Sequence, residues 1–352
     1  SSFLRDTMLP AIYADMNRRG CPTCPYVNPV KATPDDGIED FLEVPRFSTG
    51  YAALHHTIGF MPETHMLKPF ADRYAAMRAL VESVLAFTVT HAPAIQRLRQ
   101  TAREQAIRQR QWPVRWKPDY SRPSIFRFKG YAAVYRPSVL GDYQRLAYDR
   151  SQPWEKDIAW FNRCQVDVAV EVPRSYLIPQ AWREVIERLE WNGVQLERIA
   201  VAQSVQAMAY QIESVVSRSG PYEGQLFHDE VTLIRKSVTV NARVGDVLVH
   251  LNQPNARYAV ETLEPQAHDS FFHWGFFNSI LEKKEAFSDY VFEDTALEML
   301  ESEPQLREAF ERWKTQNPDR LGDQQAVLGF IFTNGLRHAE PEWLRYPVLR
   351  VA

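Results

Sequence analysis

The stretch that decides the fold is Gly59-Phe60-Met61-Pro62-Glu63-Thr64-His65-Met66-Leu67-Lys68-Pro69. It begins with a short apolar run, and Glu63 and His65 then bring in ionisable groups. Pro69 can open a helix, because proline lacks the N–H that the first helical turn leaves unpaired. A strand, a polar turn and a long helix together are a common way for an α/β fold to place a reactive group. We therefore expect a strand over 59–61 and Glu63 at the mouth of a site.

The residues after Pro69 carry the pattern of a helix that buries one face. Apolar side chains recur every three or four residues: Phe70, Tyr74, Met77, Val81, Val84 and Leu85. Charged residues occupy the opposite side, where they can remain in water. The pattern predicts a helix from Pro69 to about Thr90, a break near Pro93, and a second, polar helix over 95–111.

Glu63 has two interpretations at this point. As a catalytic group, it is a carboxylate on the turn between a strand and a helix. As a structural group, it is a surface carboxylate near a helix N-terminus, where the helix dipole favours a negative charge by about 0.3–1 kcal/mol. The spacing alone leaves both open.

Several motifs lie close together in this region. They are Gly50-Tyr51-Ala52-Ala53-Leu54, Pro62-Glu63-Thr64-His65-Met66-Leu67-Lys68-Pro69-Phe70 and Asp72-Arg73. Together they resemble the end of the catalytic domain in zinc carboxypeptidases of the carboxypeptidase A family. In that family a strand near the end of the domain carries the glutamate that acts as general base. The resemblance implies that Glu63 is this base and that Tyr51, Arg46 and His65 bind a peptide or protein substrate.

The resemblance continues through the rest of the chain. Further similar segments are Pro221-Tyr222-Glu223-Gly224, Leu263-Glu264-Pro265, Asp269-Ser270-Phe271-Phe272-His273-Trp274-Gly275-Phe276-Phe277-Asn278, Lys284-Glu285 and Arg345-Tyr346-Pro347-Val348. They are similar to the C-terminal extension of one bacterial branch of the family. The resemblance implies that 1–112 belong to a catalytic domain and 113–352 to a β-rich accessory domain with C-terminal helices. A bacterial, periplasmic or extracellular protein is expected.

The chain departs from that family at the metal site. The family binds zinc through a His-x-x-Glu pair and a more distant His, upstream of the general base. None of the nine histidines here is followed by Glu three residues later. We therefore expect zinc as the cofactor, with its ligands outside this sequence on the N-terminal half of the same enzyme. The alternative is a non-catalytic peptide-binding or accessory module that lacks the metal.

Two further clusters leave alternatives open. One of His55 and His56 could form a metal cluster with Glu63 and His65, since zinc accepts nitrogen and oxygen ligands. Adjacent histidines on a strand point to opposite faces, so at most one of the two could join. Satisfied or solvated histidines are the simpler explanation. Cys21 and Cys24 form a C-x-x-C pair among prolines, without the strand-to-helix context of a redox motif. A local disulfide and two free thiols are both compatible with it.

Length, charge and composition limit the number of domains and the classes of partner to expect. At 352 residues, two domains are the expected number. A net charge of −3, with charges of both signs interspersed, gives no reason to expect a nucleic-acid or membrane partner. No apolar run approaches the roughly 18 residues that a membrane-spanning helix needs.

From Ser124 the spacing of apolar residues changes from the helical period to an alternation of apolar and polar residues. Apolar and polar residues alternate over 126–135 and 166–172, which predicts half-buried strands. The fold class predicted is an α/β part followed by a mainly antiparallel β-sandwich-like domain with flanking helices. We expect a strand over 258–262, a helix over 269–296 and a buried strand over 326–332. The aromatic residues of 271–277 would fill the core or line a binding groove.

Overall fold

The computed structural model describes residues 2–282, 287–339 and 343–352, so Lys284-Glu285 lies outside the described residues. The helices are α1 Leu9–Arg18, α2 Ser48–Leu54, α3 Phe70–Arg108, α4 Arg183–Trp191, α5 Ala256–Leu263, α6 Asp289–Ser302, α7 Pro304–Gln316 and α8 Gln324–Ala339. The strands are β1 Ile38–Glu39, β2 Gln111–Pro118, β3 Ser124–Pro137, β4 Gln144–Phe161, β5 Cys164–Glu171, β6 Ser175–Ile178, β7 Glu197–Arg198, β8 Gln203–Ser217, β9 His228–Ala242, β10 Val247–His250 and β11 Leu349–Val351. The predicted class, helices combined with mainly antiparallel sheets, is confirmed.

The chain folds into two compact units. The first consists of Ser1–Val172, Trp191–Gln195 and Leu251–Ser270. The second consists of Pro173–Glu190, Leu196–His250 and Phe271–Ala352. These bounds differ from the division expected after residue 112, and the assignment of 1–112 to a catalytic domain stays a prediction.

A long hairpin of β3 and β4 forms most of one sheet in the first unit. The strands pair antiparallel from Ser124↔Trp160 to Pro137↔Gln144, and β1 pairs parallel with β4. The buried side chains of this sheet are Ile38, Phe128, Ile158 and Trp160. A second sheet pairs β2 with β5. The strands predicted over 126–135 and 166–172 are thus confirmed.

The N-terminal helix packs against α3 in the same unit. A π-helical turn, Leu4–Met8, runs directly into α1. Met8, Ile12 and Met16 repeat every four residues and form a buried cluster with Phe87 of α3. This repeat places all three side chains on one side of the helix, which explains why α1 packs through that side.

α3 is one continuous helix of 39 residues with Pro93 inside it, so the predicted break is wrong. Proline removes the hydrogen bond to the carbonyl of Val89, four residues earlier. Val89 is 77 % exposed, so that turn lies at the surface, where a lost helical bond costs less than it would in a core. The helix therefore tolerates Pro93.

Only part of the side of α3 predicted to face the core does so, since Val84 packs against the buried cluster around Phe87. Phe70, Tyr74, Val81 and Leu85 are all exposed, whereas Phe87 is buried. The periodicity gave the helix correctly, but it could not show which apolar side meets a neighbour.

The second unit is built on a six-stranded sheet. The strand order is β7-β10-β6-β11-β8-β9, with antiparallel pairing at each step. The buried cluster on this sheet is Leu177, Ile199, Ala207, Ala209, Ala242 and Leu349. α4 is amphipathic and buries Val185, Ile186 and Leu189.

Three local predictions are wrong. Residues 258–262 lie in α5 and 326–332 in α8, both helices rather than strands. Short apolar runs fit either period, and tertiary packing decides between them. Residues 271–277 form turns rather than a helix, and the next α-helix, α6, begins at Asp289.

Candidate functional site

α2 is fixed against the turn before it by a close approach at Gly50. A Cβ there would lie 2.5 Å from the carbonyl oxygen of Glu43 and still closer to that of Val44. Only glycine fits at this distance. The hydroxyl of Thr49 also donates to the Glu43 carboxylate, with Oγ1 and Oε2 2.5 Å apart. The segment that carries Arg46 and Tyr51 is therefore held rigidly.

Arg46 is bound to Asp269 within the first unit. Asp269 Oδ1 accepts from Arg46 Nε at 2.8 Å and lies 2.6 Å from Nη2, while Oδ2 accepts the backbone N–H of Arg46 at 2.7 Å. Their side chains are 18 % and 2 % exposed. A buried, multiply bonded ion pair of this kind anchors a segment. The contact of Arg46 with substrate stays a prediction.

Tyr51 lies on α2 and is half exposed. Its hydroxyl donates to Asn192 Oδ1 at 2.6 Å. Its ring meets the ring of His55 edge-on, with centroids 5.0 Å apart, and His55 stacks on Tyr258 of α5 at 5.6 Å. The row of three rings orients Tyr51 toward Asn192, and its role in substrate binding stays a prediction.

His55 and His56 follow the last residue of α2. The Nε2 atoms of both are buried and have no hydrogen-bond partner among the described residues. Burial, together with the charges of Arg257 and Arg103, lowers the pKa of His56 to about 4. An imidazole with that pKa is neutral at pH 7. His56 also has a φ of +54°, in the left-handed region.

Glu63 lies in an irregular segment, not at the end of a strand. Residues 57–65 pair with no other strand of the described chain, so the strand expected over 59–61 is wrong. The Glu63 side chain is exposed, and it makes no hydrogen bond or ion pair with any described residue. α3 begins only at Phe70, beyond the first-turn range in which a helix dipole acts. The helix-start explanation of Glu63 therefore has no support in this geometry.

His65 is exposed and forms the turn that leads into α3. Its Nδ1 accepts the backbone N–H of Leu67 at 3.2 Å, and its carbonyl accepts that of Lys68 at 3.0 Å. These bonds turn the chain toward Pro69. The predicted contact of His65 with substrate stays a prediction.

The described residues of this chain do not come together as a metal site. No group of three or more His, Cys, Asp or Glu side chains that could hold a metal is found among residues 2–282, 287–339 and 343–352. The His55 ring stacks on Tyr258, and Nδ1 of His65 accepts a hydrogen bond within its own turn. Cys21 and Cys24 are free thiols, so the local disulfide is not formed.

A groove of about 980 Å³ lies in the second unit. The start of α4 and the turn Trp274-Gly275-Phe276 form its walls, and Gln225 also lines it. The guanidinium of Arg188 lies over the ring of Phe276, 4.5 Å from its centroid. Neighbouring rings of the same turn, those of Phe271, Phe272 and Phe277, are buried. The aromatic residues therefore divide between core and groove.

The sequence patterns assigned no role to the residues that contact the predicted site residues. Asp269, Asn192 and Tyr258 lie far along the chain from Arg46, Tyr51 and His55. Asp269 belongs to a segment noted for its similarity, but nothing local pointed to Arg46 as its partner. Only the folded chain shows these pairs.

Comparison with known proteins gives partial matches to fungal carboxypeptidases. Over 120 residues the chain is 32% identical to carboxypeptidase 2 of Trichophyton equinum, a stretch that is 34% of this chain and 22% of that protein. It is 35% identical over 104 residues to carboxypeptidase 2 of Trichophyton rubrum, which is 29% of this chain and 19% of that protein. The chain thus spans about a fifth of the length of these relatives. The similarity supports a relationship to carboxypeptidases.

Neither a protein-family model nor a solved structure matches the chain. Among the described residues, no helix has the length and apolar character needed to cross a membrane.

Proposed function

We propose that this chain is the base-carrying part of a zinc-dependent carboxypeptidase, which removes a residue from the C-terminus of a peptide or protein. The observation that carries the proposal is the 32% identity over 120 residues to carboxypeptidase 2. The exposed carboxylate of Glu63, which has no described partner, adds to it. A general base must reach the proton that it removes, and an unpaired, accessible carboxylate meets that requirement.

In this proposal Glu63 takes a proton from the attacking water. Tyr51, Arg46 and His65 would contact the substrate near its C-terminus. Arg46 could do so only while keeping its bonds to Asp269 or by exchanging them, because the ion pair already engages its guanidinium. The metal ligands have to come from outside this sequence, and a bacterial, exported enzyme remains part of the proposal.

The test uses the complete protein purified from its natural source or expressed from its full coding region. Zinc content is measured, and hydrolysis of a peptide with a free C-terminus is compared with that of the same peptide amidated. Glu63→Gln should lower turnover by about 10²-fold or more and leave zinc content unchanged. Asp142→Asn, at an exposed position in the β3–β4 loop, is the matched control and should be fully active. Substantial turnover by the Glu63→Gln protein would refute the assignment.

A second candidate is a non-catalytic peptide-binding or accessory module. The groove beside Trp274 and Phe276 favours it, because it is a concave surface that combines aromatic rings with several polar and charged side chains, both of which can contact a peptide. A complete protein that holds no zinc and cleaves neither peptide would favour this candidate over the first.

A further inference from the structure

A serine, a histidine and an asparagine are joined by hydrogen bonds within the second unit. Ser217 lies on β8 with His228 opposite it on β9, and Asn278 begins the short 3₁₀ turn Asn278–Ile280. Ser217 Oγ and His228 Nδ1 are 2.7 Å apart, and His228 Nε2 and Asn278 Oδ1 are also 2.7 Å apart. The imidazole is therefore bonded at both of its nitrogens.

The two bonds define where the imidazole carries its proton. An amide oxygen can only accept a hydrogen bond, so Nε2 of His228 carries the proton and donates it to Asn278. Nδ1 then has a lone pair, and the hydroxyl of Ser217 donates to it. A nucleophile beside a base that a third group orients has this arrangement.

The imidazole is held in place, whereas the hydroxyl is accessible. His228 is 2 % exposed, its ring centroid lies 5.2 Å from that of Phe272, and its backbone N–H donates to the carbonyl of His273. Ser217 is exposed, just after a shift in the register between β8 and β9. Such irregularities in a sheet often redirect a side chain next to a functional site. A substrate in solvent can thus reach the hydroxyl while the base keeps its orientation.

The residues around the base also pack against the wall of the groove in the second unit. The backbone N–H of Asn278 donates to the carbonyl of Gly275, which lines the groove, at 3.2 Å. A Cβ on Gly275 would lie 2.8 Å from Asn278 Nδ2. Phe227, directly before His228, meets the ring of Trp274 at 5.1 Å between centroids. The groove therefore offers an aromatic surface connected to the same cluster of contacts.

Local sequence does not reveal this site. His228 lies 11 positions after Ser217, and Asn278 lies 50 positions after His228. Val215 and Ser219 stand where a Gly-x-Ser-x-Gly motif would have its glycines. Only the pairing of β8 with β9 and the position of the 3₁₀ turn bring the three side chains together.

We propose that Ser217 is a nucleophile that attacks activated esters, with His228 as its general base and Asn278 as a positioning residue. Oγ of Ser217 forms a bond to the acyl carbon while its proton passes to Nδ1. The ester C–O bond then breaks, and the leaving oxygen takes this proton. Water attacks the acyl carbon next and gives a proton to Nδ1; the C–Oγ bond breaks, and Oγ takes the proton back.

The neutral side chain of Asn278 indicates the substrate class. A carboxylate in its place would stabilise the imidazolium that forms during the reaction, and an amide does so less. The site is therefore suited to esters with good leaving groups rather than to peptide bonds. This activity is separate from the proposed peptide hydrolysis and uses none of the same residues.

The test uses the complete protein expressed from its full coding region, with o-phenanthroline present to remove metal-dependent ester hydrolysis. The protein is treated with diisopropyl fluorophosphate, which forms an Oγ–P bond and releases fluoride, and the adduct is located by peptide mass spectrometry. We expect one adduct per chain, on Ser217. With p-nitrophenyl acetate, a burst of about one p-nitrophenolate per chain is expected. Ser217→Ala should abolish both signals.

Variants of the other two residues test their roles. His228→Gln should slow formation of the adduct by about 10²-fold or more, because the hydroxyl loses its base. Asn278→Leu is a second variant in case the buried His228→Gln does not fold, which circular dichroism checks; it should slow labelling by about tenfold or more. Asn278→Asp keeps an acceptor for Nε2 and should restore the rate. Ser204→Ala, at an exposed position on the same strand, is the matched control and should label normally.

The inference is overturned if the folded protein forms no adduct at Ser217 or gives no nitrophenolate burst. It is also overturned if a folded His228→Gln or Asn278→Leu protein labels at the unchanged rate. A hydrogen-bond network with only a structural role would give no adduct. These outcomes do not depend on the proposed function: Glu63→Gln should lose peptide hydrolysis and keep the Ser217 adduct, whereas Ser217→Ala should do the reverse.

Discussion

Arg46 and Asp269 lie 223 positions apart in the chain, yet their side chains form a buried ion pair with Nη2 and Oδ1 2.6 Å apart. Asp269 also accepts the backbone N–H of Arg46 and has a φ of +58°. Aspartate and asparagine tolerate this left-handed conformation better than most residues. The pair ties the segment before α2 to the end of the segment that carries α5, within the first unit.

Asp269→Asn should destabilise the protein by about 3–5 kcal/mol, because it leaves the buried guanidinium of Arg46 without a counter-charge. Asparagine keeps the shape and accepts the same φ, so the effect isolates the charge. The measurement is the free energy of unfolding in urea. Arg127→Met is the control: it breaks exposed pairs with Glu155 and Asp157 and should cost at most about 1 kcal/mol. Equal losses in the two variants would contradict the anchoring role.

Gly50→Ala should cost about 1–3 kcal/mol, because the added Cβ would collide with the backbone oxygens of Val44 and Glu43. Thermal unfolding would report the change. The same substitution at Gly329 of α8, where a Cβ meets nothing within 4 Å, should instead be neutral or stabilising by up to about 1 kcal/mol. A neutral Gly50→Ala would mean that the turn before α2 can move away.

The stability of the first unit should fall as the pH drops from 6.5 to 4 because of His56. Folding lowers the pKa of this side chain from 6.5 to about 4, so the unfolded chain takes up the proton first. The contribution is complete above pH 6.5 and is lost on acidification, to the extent of about 1–2 kcal/mol after solvent screening.

His56→Asn should remove this component of the pH dependence, since asparagine does not titrate and tolerates the φ of +54°. Urea unfolding of both proteins at pH 7.5 and pH 4.5 gives the difference. His65→Asn is the control, because it makes the same substitution at an exposed position. A His56→Asn protein with the same acid sensitivity as the unchanged chain would contradict the prediction.

Glu63→Gln should leave the free energy of unfolding within about 0.5 kcal/mol of that of the unchanged chain. The carboxylate is exposed and makes no hydrogen bond or ion pair with any described residue, so the fold does not depend on it. Denaturant titration measures this independently of activity. A loss above about 1 kcal/mol would instead favour the structural interpretation of Glu63.

The parts of the fold that depend on local periodicity were predictable. The alternation over 126–135 and 166–172 gave strands, and the three- and four-residue spacing after Pro69 gave a helix. The same reasoning failed over 258–262 and 326–332, which are helical. In runs that short, apolar side chains satisfy both a period of 2 and a period of 3.6, and neighbouring elements select one.

The candidate site residues, Glu63, Tyr51, Arg46 and His65, come from sequence motifs and from the resemblance that these motifs carry. Their roles stay predictions. Their surroundings could not be inferred, because each depends on where a distant segment lies. Asn192 meets Tyr51 across 141 positions, and no local signal encodes such a contact.

The sequence by itself determined which segments are amphipathic, that Pro69 precedes a long helix, and that no His-x-x-Glu pair is present. These properties are fixed by side-chain order and by the backbone preferences of single residues. Only the tertiary structure decided that α3 buries Phe87 and exposes Leu85, and that Asp269 neutralises Arg46. Burial and ion pairing depend on the position of a second segment in space, and that position follows from the packing of the whole unit.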